Sequence, residues 1–292
     1  MIDLGLMLPY ISPTTRDTTL AWIDRGERGG FNSLSVGERI TWDSLDQFVM
    51  LSAAAARTER VKISLQITIL PMHPPALNAK RIASLDLISG GRVRVGVGIG
   101  DREQDYLAAG STMERRYGRL AEGVAEMRRL WGREPLATGL DPVGPEPVQP
   151  GGPEIWTGGW GPKGLAKAAK WADGYMGYTA DGDLAELEGT AATVRRAWQA
   201  AGRTPPPLVT SAFFALGPDA ERDLRARIGS YFGAGGQPTL APLLDRVCTV
   251  CTPAACREAL ANAEAAGYEE FTFIPVTDNV AEVDRLDDAL GR

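Results

Sequence analysis

Short apolar runs alternate with longer segments of helical spacing from one end of the chain to the other. Residues 2–9 form a first apolar run that reads as a strand. Over 16–29, Leu20, Ile23 and Gly26 fall on one side of a helix. Further strand-like runs occupy 32–37, 61–70 and 92–97. Helical segments fill 44–57 and 75–88, the second stopped by Gly90-Gly91. Over 114–131 the stripe Leu120, Val124, Met127 and Leu130 marks a long amphipathic helix. Beyond it, 155–158, 174–178, 208–216 and 270–275 read as strands. Segments 162–172, 184–201, 218–231 and 280–290 read as helices, and Thr252-Pro253 caps another that runs to Ala266. Pro162 sits at the first helical position that proline favours.

Strands separated by helices imply a parallel sheet. About eight such units favour a closed (β/α)8 TIM-type barrel over an open doubly wound sheet. A single domain over 1–292 is expected, since no linker divides the chain. The one long excursion, 135–153, is rich in proline and glycine. It is expected at the barrel mouth, because long loops often carry function.

Composition narrows the classes. A hydrophobic fraction of 44% supplies a large core. The net charge of −6, without clustered Lys and Arg, speaks against a nucleic-acid binder. The first residues lack a basic region followed by a long apolar stretch, so no signal peptide is expected. No window reaches the roughly 18 apolar residues of a membrane span. A cytoplasmic location is the expectation. Cys248, Cys251 and Cys256 read as small buried residues. The spacing of the first two leaves redox or zinc chemistry open, but the single histidine, His73, is distant in sequence. No metal site is expected.

In a parallel barrel, reactive groups gather where strands end. After the second strand stand Glu38 and Arg39, suited to binding or protonating a substrate or to a plain ion pair. After the third comes His73 among prolines, a proton carrier or a hydrogen-bonded structural residue. After the fourth comes Gly96-Val97-Gly98-Ile99-Gly100-Asp101. Alternating glycines let another group approach the backbone. The dinucleotide fingerprint is incomplete there, because Arg102 and Glu103 stand where a third glycine belongs and no helix is evident at once. The run Thr157-Gly158-Gly159-Trp160-Gly161-Pro162-Lys163 follows a strand and opens a helix. Free N–H groups at such a start favour an anion. Trp42, Trp160, Tyr175 and Tyr178 lie near strand ends, where they wall a flat cofactor or fill core.

Several of these segments resemble one family. Gly30 to Glu38 is similar to its second-strand segment. Lys80 to Gly100, with Leu85-Asp86-Leu87-Ile88-Ser89-Gly90-Gly91-Arg92, resembles its most recognisable stretch. Ile155 to Gly174 and Thr252 to Val276 are similar to later units, in the same order. The family is that of the bacterial-luciferase-like proteins, and the spacing is most similar to its coenzyme F420-dependent oxidoreductases. The resemblance implies a barrel that holds F420 or FMN at its C-terminal face. Leu65, Gln66 and Ile67 would form a bulge, often with a non-proline cis peptide, behind the central ring. Gly98, Gly100 and Asp101 would edge the cofactor, and Thr157 to Lys163 would hold its phosphate.

Two departures matter. Many deazaflavin members carry Asp-His where this chain has Glu38-Arg39. Arginine cannot shuttle protons but can clamp a carboxylate or phosphate. The frequent Arg-His-Pro appears as His73-Pro74-Pro75. The candidate catalytic groups are Glu38, Asp101 and His73, with Arg39, Trp42 and Tyr178 toward a small-molecule substrate. Hydride transfer with F420 is the first reading. An FMN-dependent monooxygenase fed by a separate reductase is the second, and a non-catalytic flavin-binding relative the third. A barrel lyase or hydrolase lacks a catalytic lysine or a carboxylate cluster. The resemblance also implies a homodimer through early helices.

Overall fold

The computed structural model describes residues 2–159, 161–233 and 240–291. β1 (Asp3–Met7), α1 (Arg16–Arg28), β2 (Ser33–Val36), α2 (Gln47–Arg57) and β3 (Lys62–Ile69) lead through a 3-10 turn at Leu70–Met72 to α3 (Pro75–Ser89) and β4 (Val93–Gly98). Next come α4 (Glu103–Ala108), α5 (Arg116–Trp131), β5 (Ile155–Thr157), α6 (Gly161–Ala168), β6 (Gly174–Met176), α7 (Leu184–Ala200) and β7 (Leu208–Phe214). α8 (Ala220–Gly233), α9 (Leu240–Val247) and α10 (Pro253–Ala265) separate β7 from β8 (Glu270–Pro275), and α11 (Ala281–Leu290) follows. The strands pair in parallel in chain order, and β8 closes on β1. This is the expected (β/α)8 barrel.

Local chemistry explains the boundaries. Thr15 caps α1 by accepting from Thr18 N–H, and Trp22, Ile23 and Gly26 face inward. Gly26 lets α1 pack closely on β2, since a Cβ would lie 2.4 Å from Leu34 Cδ2 and push that side chain aside. α5 buries Leu120, Val124, Met127 and Leu130, as its spacing predicts. Asp183 and Thr252 cap α7 and α10. α4 and α9 are too short for periodicity to reveal. Fully burying each large core side chain contributes about 1.5–3 kcal/mol, and Trp22, Trp198, Phe31, Phe214, Phe271 and Phe273 all qualify.

The bore carries an ion pair near the strand starts. Arg94 donates to Glu270 Oε1 at 2.6 Å and to Ser64 Oγ at 3.1 Å. Ser33 donates to the same carboxylate at 2.8 Å. The Arg94 guanidinium lies 4.9 Å from the Trp156 ring centroid. Burial pushes the Glu270 carboxyl up, but Arg94 and Ser33 outweigh it and hold the pKa below its ordinary value. This cluster fills the end opposite the mouth.

The 135–153 excursion is not at the mouth. Asp86, near the end of α3, accepts from Val148 N–H at 2.8 Å and from Gln149 N–H at 3.0 Å. Gln149 Nε2 also reaches the carbonyl of Val93, the first residue of β4. A connection from a helix to the next strand must run at the strand-start end of the barrel, so this loop seals the floor. It forms no wall of a substrate site.

Candidate active site at the barrel mouth

The end of β3 departs from a regular strand. Its register against β4 shifts between Leu65 and Thr68, and the Gln66–Ile67 peptide is cis. The Ile67 side chain occupies the gap left by three glycines. A Cβ at Gly98 would come 2.0 Å from Ile67 Cδ1, and one at Gly96 or Gly158 would come 3.0 Å from Ile67 Cγ2. The group that the alternating glycines admit is therefore this side chain. Gly100 turns the chain at φ 62° beside Ile69. Gln66 is buried, and neither end of its amide has a hydrogen-bond partner. A buried orphan amide is costly in isolation. Here it stands at the bulge expected behind a flat ring.

Glu38 is placed by the end of β2. It accepts from Thr68 Oγ1 at 2.9 Å, from Ile69 N–H, and pairs with His73 Nε2 at 2.7 Å. Both carboxylate oxygens are thereby engaged, and the residue ties the end of β2 to the segment just past the bulge. His73 faces outward as well, lining a cleft of about 580 Å³ with Ser111, Arg119 and Glu122.

Asp105 on α4 performs a similar task one strand further. Its Oδ1 accepts from Ile40 N–H at 3.1 Å, Thr41 N–H at 2.8 Å and Thr41 Oγ1 at 2.7 Å, fixing the loop that carries Arg39 and Trp42. Arg39 lies 3.4 Å from Asp101 and 3.6 Å from Asp105. Asp101 remains 48% exposed, whereas Arg39 is only 11% exposed. Tyr231, from the last turns of α8, lies beneath this loop. The guanidinium carbons of Arg39 and Arg102 are each 5.0 Å from its ring centroid. Trp42, Tyr10, Phe213 and Phe232 pack edge-on around Tyr231. Tyr178 stands against Phe213 at 5.7 Å, its phenol pushed up by burial and then by Glu186.

The start of α6 forms the other wing. Thr157 Oγ1 accepts from Gly159 N–H at 3.1 Å. Gly161, at φ 74°, and Gly164 have open space where a Cβ would be. Gly161, Pro162, Lys163, Gly164, Lys167 and Tyr117 line a cleft of about 570 Å³. Trp160 lies outside the described residues.

Other expectations separate from the site. Tyr175 is buried against Gly177, its phenol pushed up to about 12 by burial and then by Glu186, so it serves the core. Cys248 and Cys256 are buried and all three cysteines are free. Burial, followed by Cys251 and Glu282, pushes the Cys256 thiol up to about 12. Among the described residues no group of His, Cys, Asp and Glu is placed to hold a metal, and no helix is long and apolar enough to cross a membrane. Reading the strand ends in sequence overlooked Tyr10, Arg102, Asp105 and Tyr231. The first three follow β1 and β4 closely, so the same rule reaches them. Tyr231 arrives from a distant helix and has no local signal.

The fold and the mouth define a bulged parallel barrel with a glycine-rich, lysine-bearing helix start and an aromatic, charged cluster. The family model of the luciferase-like monooxygenases matches residues 5–270, and the chain belongs to that family. An uncharacterised protein of Mycobacterium tuberculosis is 34% identical over 171 residues, covering 55% of this chain and 58% of that protein. The chain thus matches less than two thirds of that relative's length. The 5,10-methylenetetrahydromethanopterin reductase of Archaeoglobus fulgidus is 28% identical over 280 residues, covering 90% of this chain and 79% of the reductase. Among solved structures, an F420-dependent secondary alcohol dehydrogenase with an F420-acetone adduct superposes with a TM-score of 0.77 at 21% identity, covering 100% of this chain and 99% of that one. The FMN-bound oxygenating constituent of 3,6-diketocamphane monooxygenase from Pseudomonas putida gives 0.69 at 20%, covering 94% and 91%.

Proposed function

We propose that this protein is an oxidoreductase that moves hydride between coenzyme F420 and a small organic substrate at the C-terminal mouth of the barrel. The observation that carries the cofactor reading is a combination. An orphan buried amide sits at the β3 bulge, and an open, lysine-bearing helix start sits at the same barrel end. A flat ring with a phosphate-bearing tail fits both. Leu65, Gln66 and Ile67 would back the ring, with the Gln66 amide as its hydrogen-bond partner. Gly98, Gly100 and Asp101 would edge it. Thr157, Gly158, Gly159, Gly161, Pro162 and Lys163 would receive the phosphate, where free N–H groups and the helix dipole favour an anion. The preference for the deazaflavin over FMN is supported by the F420-dependent secondary alcohol dehydrogenase, which superposes over the whole of this chain.

When bound, the cofactor supplies the two-electron chemistry. The chain supplies position and protons. Oxidising an alcohol to a carbonyl removes a hydride from carbon and a proton from oxygen, and reduction reverses both. Asp101 suits the proton step, because it is half exposed at the mouth and paired with Arg39 at 3.4 Å. Glu38 already accepts from three donors, and with His73 it acts as a positioning residue for the bulge. Arg39, Trp42 and Tyr178 face the substrate. Exposed Val49 on α2 and Leu77, Leu87 and Ile88 on α3 support a homodimer through these packed helices.

The rival reading is an FMN-dependent monooxygenase served by a reductase. The FMN-bound structural neighbour favours it. Oxygen uptake separates the two. With reduced FMN and candidate substrates, the hydride-transfer reading predicts no uptake beyond that of free flavin. Protein-dependent uptake coupled to an oxygenated product would replace it.

A further inference from the structure

Arg102 is the most anomalous charge at the mouth. Its residue is 5% exposed, yet no carboxylate oxygen lies within 4.0 Å among the described residues. Its Nη2 donates to a neutral acceptor, the Tyr231 carbonyl, and its Nη1 is buried without an acceptor. The charge of Arg39 acts on it, and Arg39 Nε is likewise buried and without an acceptor. Burial and then the Arg39 charge push the Arg102 pKa down, but a guanidinium remains protonated near neutrality. Burying a cation without an ion partner costs several kcal/mol unless something compensates. Packing alone is a poor reason to keep an arginine there, because an apolar side chain would fill the same space at lower cost.

The rings around Arg102 show how it is held. Its guanidinium carbon lies 5.2 Å from the Trp42 centroid and 5.0 Å from the Tyr231 centroid. Aromatic rings engage the faces of a guanidinium, while hydrogen bonds use its edge. Two rings and one carbonyl therefore fix the plane of Arg102 and leave its buried Nη1 without an acceptor. Such a preorganised fork loses little entropy when it captures a planar oxyanion. Arg39 presents a second orphan N–H beside the same Tyr231 ring.

We propose that Arg102, with Arg39, selects a substrate carrying a carboxylate, with Trp42, Tyr10 and Phe213 favouring an aromatic body. The proposal rests on the barrel mouth being the substrate site. It names the substrate class and assigns Arg102 as its determinant. Asp101 has the opposite effect on binding, since its charge competes for both guanidinium groups.

The test is calorimetric titration of the full chain with benzoate and with benzamide, its uncharged counterpart, in the presence and absence of F420. F420 binding is followed separately by absorbance, so a failure of the cofactor reading is scored apart from the anion preference. The expected result is benzoate binding tighter than benzamide by roughly tenfold or more, the scale of one charge-assisted hydrogen bond. Arg102→Gln is expected to abolish that preference, and Asp101→Asn to strengthen benzoate binding. Equal affinity for the two probes, no binding of benzoate, or a preference that survives Arg102→Gln would overturn the proposal. If Arg102→Gln fails to fold, unchanged benzoate affinity in Asp101→Asn overturns it instead.

Discussion

Ile67 and the glycines around it show how single atoms shape the mouth. The Ile67 Cδ1 atom is what an alanine at 98 would strike, at 2.0 Å. Gly98→Ala is therefore expected to displace Ile67 and weaken cofactor binding by roughly tenfold or more. Adding Ile67→Val, which removes that methyl, is expected to restore binding. Gly96→Ala differs, because its Cβ would meet the Leu65 carbonyl oxygen at 2.5 Å. Backbone cannot step aside as a side chain can. This variant is expected to lose about 1–3 kcal/mol of stability and to gain nothing from Ile67→Val. Thermal melts of the single and double variants check both statements. Glu38→Ala leaves the Ile69 N–H and the Thr68 hydroxyl without their acceptor. A cost of about 1–3 kcal/mol is expected, with weaker cofactor binding because the bulge loses its tie to β2.

At the scale of the elements, α6 and the loop ahead of it are the proposed hold on the cofactor's tail. Lys163 in its first turn lines the cleft with Lys167. Lys163→Gln is expected to weaken binding of a phosphate-bearing flavin or deazaflavin by roughly tenfold, while riboflavin, which lacks the phosphate, is unaffected. Parallel titrations with FMN and riboflavin check this, and an equal loss for both would remove the lysine from the phosphate site. The elements were largely legible in the sequence, because long periodic stretches such as 120–130 in α5 announce a buried stripe. α4 and α9 were not, being too short to show a period. The strand ends pointed to Glu38, Arg39, Asp101 and the run from Thr157, while Gln66 entered only through the family resemblance. The role of Glu38 was hidden, because its partners Thr68, Ile69 and His73 meet it only once β2 and β3 lie side by side. The excursion at 135–153 was misplaced because its composition, rather than its position between a helix and a strand, suggested the mouth.

For the whole molecule, the barrel separates a stabilising floor from a reactive mouth. The floor depends on Glu270 and Arg94. The folded-state pKa of Glu270 is below its ordinary value of 4.5. Its contribution is therefore complete above the unfolded value and is lost as pH falls from there through the folded value. Wild type is expected to lose stability steeply as pH drops below about 4.5, and Glu270→Gln to show a shallower loss from a lower starting point. Denaturant melts between pH 3 and 7 measure it. The exposed α2–α3 face is expected to bury itself in a homodimer, so Ile88→Glu should shift the mass in solution toward monomer. The central claim concerns the mouth, and equilibrium titration of the cofactor-free protein with oxidised F420 and separately with FMN tests it most directly. The account predicts micromolar or tighter binding of F420, with FMN weaker by roughly tenfold or more. Tighter binding of FMN, or binding of neither, would contradict it.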